Sequence, residues 1–184
     1  MHRIPRRLVS GHRRWIFSAA FFAVTALVAG APALSRSFGL FAQSLHGKVV
    51  GIADGDTLTL LLPDHTQKRV RLAGIDAPES KQPYGQKSRQ ALAEMVFGKD
   101  VAVRVVDTDR YGRWVADVYA GAGHVNAELV RGGYAWVYRE FARDPKLFAA
   151  EEEARSARRG IWGLPGAERM PPWEWRKLKR SLKR

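Results

Sequence analysis

Residues 69–79 read Arg69-Val70-Arg71-Leu72-Ala73-Gly74-Ile75-Asp76-Ala77-Pro78-Glu79, and the fold follows from this stretch outward. Val70 and Leu72 alternate with Arg69 and Arg71. A strand here buries the two aliphatic side chains on one face and leaves Arg71 on the other, free for solvent or a ligand. Extended, the five steps from Arg71 to Asp76 span about 16 Å, too far for both to serve one phosphate, so the chain is expected to bend at Gly74. Pro78 then stiffens the loop that presents Glu79.

Four further runs share this texture. Residues 48–52, 57–62, 101–107 and 114–119 are rich in Val, Leu and Thr and bounded by Gly, Asp or Pro, which with 69–75 makes five predicted strands. Residues 86–97 carry Ala91, Leu92, Met95 and Val96 on one helical face and stop at Gly98, a residue suited to ending a helix. Asn126 is expected to cap a short helix closed by Gly132 and Gly133. Asp144 followed by Pro145 opens a helix of Leu147, Phe148, Ala150 and Ala154 that ends near Gly160. The reading is α+β: a five-stranded, OB-fold-like β-barrel with three α-helices, closed because closure removes the exposed edges of so short a sheet.

The chain has 184 residues, 46% apolar and 27% charged, a globular composition with room for one domain and extensions. It has no cysteine, which excludes disulfide scaffolds, thiol nucleophiles and Cys-bound zinc. His46, His65 and His124 are scattered without ligand spacing. The net charge of +13 sits mostly at the ends: residues 1–44 hold six Arg and no acid, and residues 164–184 hold seven bases against Glu168 and Glu174. Total charge therefore says little about residues 45–163, the predicted domain.

Five Arg precede Trp15, and residues 15–34 follow without a charge. This is either an export signal, cut after Ala31, Ala33 or Ala42, or an uncleaved inner-membrane anchor, since 20 apolar residues just suffice to span a bilayer. Both place the domain outside the cytoplasm: secreted, periplasmic, or anchored and facing outward. Residues 164–184 read as a basic, flexible tail in which Trp173 and Trp175 lie amid Lys and Arg.

The chemistry gathers in three segments. In Asp54-Gly55-Asp56-Thr57 two carboxylates flank a glycine at a bend between strands. Residues 69–79 supply Arg71, Asp76 and Glu79. Asp107-Thr108-Asp109-Arg110-Tyr111-Gly112-Arg113 turns into the fifth strand. Taken singly, each suits an ordinary charged turn. Together, Asp56 and Asp76 suit a hard cation and Arg71 and Arg113 an anion, with Glu79 to spare, which are the parts for phosphodiester chemistry.

These segments, in this order and followed by Val125-Asn126-Ala127-Glu128-Leu129-Val130-Arg131, resemble the staphylococcal nuclease (thermonuclease) family over roughly residues 46–162. The resemblance implies an OB-fold barrel with three helices. It also implies a monomeric, calcium-dependent nuclease that cuts DNA and RNA between phosphorus and the 5′ oxygen, leaving 3′-phosphates. Carried over position by position, it makes Asp56, Asp76 and the Ala77 carbonyl the ligands of Ca²⁺, with Asp54 behind them. Arg71, Glu79 and Arg113 take the catalytic positions, and Tyr111 and Tyr138 the surroundings of the bound nucleotide. The family commonly has Thr where Ala77 stands and often Tyr where Trp136 stands, and the loop after Glu79 is short. The alternative is a nucleic-acid-binding OB module without catalysis, anchored to a membrane; the presence of every charged position argues against it.

Overall fold

The computed structural model describes residues 44–183. The apolar segment at 15–34, with the export and anchor readings placed on it, lies outside the described residues. Among those described, no helix is long and apolar enough to cross a membrane.

Strands β1 (Leu45–Ile52), β2 (Thr57–Leu61), β3 (Gln67–Leu72), β5 (Asp100–Thr108) and β6 (Trp114–Ala120) form the barrel. β1 runs antiparallel to both β2 and β5, β2 to β3, and β5 to β6. A parallel pairing of β3 with β6, Val70 opposite Trp114 and Leu72 opposite Ala116, closes the ring. The expected α+β barrel is thus the one observed. Two-residue strands β4 (Ile75–Asp76) and β8 (Trp136–Val137) pair beside it, and β7 (Gly123–His124) extends the sheet past β6.

The interior is filled. Val49, Leu58, Leu60, Val70, Val103 and Val118 are fully buried, each such side chain contributing about 1.5–3 kcal/mol. On β3 the alternation holds as expected, with Val70 and Leu72 inward and Arg71 outward.

Helix α1 (Gly85–Val96) lays Ala91, Leu92 and Val96 on the barrel and stops at Gly98, whose N–H reaches the Val49 carbonyl at 2.9 Å. Helix α3 (Pro145–Ser156) starts as read, the Asp144 carboxylate accepting from Lys146 N–H at 2.9 Å. Asn126 does not cap. It lies within α2 (Val125–Arg131), where His124 holds the cap position, and it is fully buried. There it accepts from Val118 N–H at 3.0 Å and donates to the carbonyls of Ala73 and Ala116 at 3.0 and 3.2 Å, fastening the helix to the middle of β6 and to the bend after β3. Asn126→Ala leaves the Val118 N–H and the Ala73 carbonyl without this partner, while the Ala116 carbonyl keeps the Ala73 N–H at 2.8 Å. The expected loss is about 2–4 kcal/mol in a urea titration; an unchanged midpoint would show that the bonds contribute nothing net.

A fourth helix, α4 (Pro172–Ser181), stands where the sequence suggested only a basic extension. The proline pair presets its first turn, and Pro172 is buried.

Candidate active site

Three backbone devices assemble the site. β3 ends at Leu72, and Gly74, with φ +69°, makes the expected bend, a conformation that costs other residues more. Beyond the bend, β4 pairs with β8, Asp76 opposite Trp136, which fixes the aspartate on a short rigid rung. Asp56 enters from the other side: its carbonyl accepts from Leu72 N–H at 2.9 Å, and the Asp54–Asp56 bend presses on Ala77 and α1. A Cβ on Gly55 would fall 2.7 Å from the Cβ atoms of both Ala77 and Ser88. Glycine is required here for room; its φ is not positive, as the expected Asp-Gly turn would have it.

Asp56 and Asp76 consequently lie in the interior edge of the site, 3% and 0% exposed. One guanidinium joins them: Arg71 Nη1 lies 3.2 Å from Asp56 Oδ1, and Nη2 lies 2.9 Å from Asp76 Oδ1. Asp56 also accepts from Ala77 N–H at 2.9 Å and Thr57 Oγ1 at 3.0 Å. Asp54 accepts from Asp56 N–H at 3.1 Å, immediately behind the site. Burial pushes the Asp56 carboxyl up from 3.8 to about 6, with Arg71 opposing and the Asp54 charge adding to the rise. The cluster holds more negative charge than Arg71 alone balances.

The other expected members are placed as follows. Glu79, at the half-exposed mouth, lies on the loop after Pro78. Arg113 makes no hydrogen bond to the buried aspartates; Asp109 holds it, accepting from Nε at 2.8 Å and lying 2.7 Å from Nη2. Its place in the chain is just before β6, whose Val115 lies opposite Arg71 in the closing pair. Tyr111 stands 69% exposed beneath the guanidinium groups of Arg110 and Arg113. Tyr138 follows β8, its N–H on the Gly74 carbonyl at 2.9 Å, and so borders the carboxylate rung.

Two neighbours were missed from the sequence. Arg176 of α4 lies 2.7 Å from Asp76 Oδ2 and 2.8 Å from Glu79 Oε1, and Trp173 stacks flat on Tyr138, centroids 5.4 Å apart at 4°. The available signal was their spacing: three residues apart after Pro171-Pro172, they share one face of any helix the prolines start.

Among the described residues no three His, Asp or Glu side chains form a ready-made metal cage. A hard cation does not need one, since it can complete its shell with a backbone carbonyl, water and ligand oxygens. Two buried carboxylates, followed in the chain by the Ala77 carbonyl, are such donors, and with Arg176 withdrawn their charge exceeds what Arg71 balances. The residues present fit the group.

A closed OB-type barrel carrying a buried pair of carboxylates bridged by an arginine, with a glutamate at the mouth, points to a class: enzymes that work on anionic phosphate esters. Comparison with known proteins narrows it. A family model described as Staphylococcal nuclease homologue matches residues 69–163. An uncharacterized endonuclease of Escherichia coli O157:H7 is 42% identical over 144 residues, covering 78% of this chain and 92% of that protein. Protein ParB of Escherichia coli is 41% identical over 176 residues, covering 90% and 93%, and a micrococcal nuclease of Shigella flexneri is 41% identical over 146, covering 73% and 82%. The chain belongs to the staphylococcal nuclease family and is a phosphodiester hydrolase, a nuclease. The family match begins at Arg69; Asp54 and Asp56 precede it and join it through Arg71.

Proposed function

We propose that this protein is a calcium-dependent, exported nuclease that hydrolyses DNA and RNA at the bond between phosphorus and the 5′ oxygen and leaves 3′-phosphates. The observation that carries the reading is the single guanidinium of Arg71 spanning the buried pair Asp56 and Asp76, with Glu79 at the mouth.

Calcium held by Asp56, Asp76 and the Ala77 carbonyl would supply fixed positive charge for a phosphoryl oxygen. In-line attack by water adds a second negative charge to the phosphodiester, and groups already in place stabilise that increment best. Arg71 has more N–H donors than the bonds it makes to Asp56, Ile75 and Asp76, leaving some for phosphate oxygens. Glu79, at the mouth where water reaches it, orients or deprotonates the nucleophile. Arg113 is gripped by Asp109 along its Nε–Nη2 edge, which leaves the Nη1 edge to meet the departing 5′ oxygen. Tyr111 and Tyr138 offer rings to the flanking nucleotides, and Lys81 on the loop after Glu79 offers positive charge to a polyanion.

The test is degradation of plasmid DNA and of RNA by the full chain, with calcium and with chelator, and with Glu79→Gln. The expected result is loss of activity in chelator and a drop of about 10²- to 10⁴-fold in the variant, the range typical of general bases. Undiminished cleavage in chelator would sink the calcium assignment. Retention of nucleic acid without cleavage would leave a binding module.

A further inference from the structure

Resting on that reading, we propose that α4 is a built-in strap that closes the site by occupying both of its ligand positions, and that cation binding releases it. The inference joins two contacts made by one helix turn. Arg176 takes the oxygens a cation needs: Nη2 lies 2.7 Å from Asp76 Oδ2, while Nη1 lies 3.3 Å from Asp76 Oδ1 and 2.8 Å from Glu79 Oε1. Asp76 is fully buried, and with Arg71 also on Oδ1 its oxygens are committed. Trp173, three residues earlier, lies parallel on the ring of Tyr138, where a nucleobase would stack. Phe141 also packs on that ring, centroids 4.9 Å apart at 62°. A guanidinium in the cation's place and an indole in the base's place are together an internal imitation of the bound state.

The attachment is local and reversible in kind. Pro172 is buried, and the Gln82 amide donates to the Met170 carbonyl, pinning the start of the strap to the loop behind Glu79. Past Arg176 the helix carries Lys177, Lys179, Arg180 and then Lys183, all exposed. Arg176 itself keeps 35% of its side chain in solvent, so its pair with Asp76 is open to competition. A divalent ion offers the carboxylates twice the charge in a smaller volume, and exchange leaves no buried anion uncompensated. Once lifted, the basic face of α4 is free to meet the phosphate backbone of the substrate.

Apparent affinity is the intrinsic affinity scaled by the fraction of molecules in the competent state, so a strap closed in about nine molecules of ten weakens calcium binding about tenfold. The experiment is calorimetric titration of calcium into the full chain in mild detergent, without nucleic acid, for the native protein, Arg176→Gln and Trp173→Ala. Both variants are expected to bind about tenfold more tightly. Trp173 touches no carboxylate, so its effect reports release of the helix alone. In parallel, hydrogen exchange at residues 172–181 of the native protein is expected to quicken on adding calcium. Equal or weaker affinity in both variants, or slower exchange at 172–181 with calcium, would overturn the strap and make Arg176 a constituent of the loaded site. Absence of calcium binding in all three would overturn the strap and the calcium reading together.

Discussion

Replacing Arg71 by lysine is expected to lower kcat about 10³-fold, within the range seen when a transition-state charge donor is removed. The size follows from what the guanidinium does in this structure. It reaches Asp56 with one terminal nitrogen and Asp76 with the other, and the second also approaches the Ile75 carbonyl at 3.4 Å. An ammonium is a point donor and cannot hold two carboxylates in one plane while offering further N–H groups to a phosphate. Lysine therefore loses both the orientation of the cation ligands and the contact to the developing charge. Initial rates on a short oligonucleotide at saturating calcium measure the effect, with circular dichroism to confirm the fold. A variant within threefold of the native rate would remove Arg71 from the transition state.

Asp76→Asn is expected to do as much to activity and more to the rest of the molecule. The side chain is fully buried and, among the described residues, is the one acid paired with both Arg71 and Arg176. Asparagine keeps the shape but not the charge. On the proposed calcium site the ion would lose a carboxylate ligand, and activity should fall by about 10³-fold even at high calcium. In chelator the two guanidinium groups face each other across a neutral amide, and losing one partner of a buried charge cluster costs about 3–5 kcal/mol. Urea denaturation with chelator measures that loss, and rates against calcium concentration measure the first. Calcium-dependent activity near the native level would mean that the cation sits elsewhere.

Much of this site was legible in advance, for local reasons. The alternation of Val70, Arg71 and Leu72 settles which side chain points outward, because a strand has only two faces. Gly74 marks the bend, since a positive φ is costly for other residues. Asp144 before Pro145 announces the start of α3. Asn126 misled: a polar residue before a short apolar run looks like a cap, whereas its partners, Val118, Ala73 and Ala116, come from β6 and from the bend after β3. Gly55 was legible as a turn but not as a close approach, because Ala77 and Ser88 are remote in the chain.

What the sequence by itself determined is the five barrel strands, the extent of α1, the start of α3 and the chemical types that meet cations and phosphates, because each depends on neighbours within a few residues. Only the tertiary structure decided the register between β3 and β6 that closes the barrel, the burial of Asp56 that raises its carboxyl, and the seating of Arg176 and Trp173 on Asp76 and Tyr138. Those are interactions between segments up to a hundred residues apart. Their strength depends on distance and on exclusion of water, and neither exists until the chain has closed on itself.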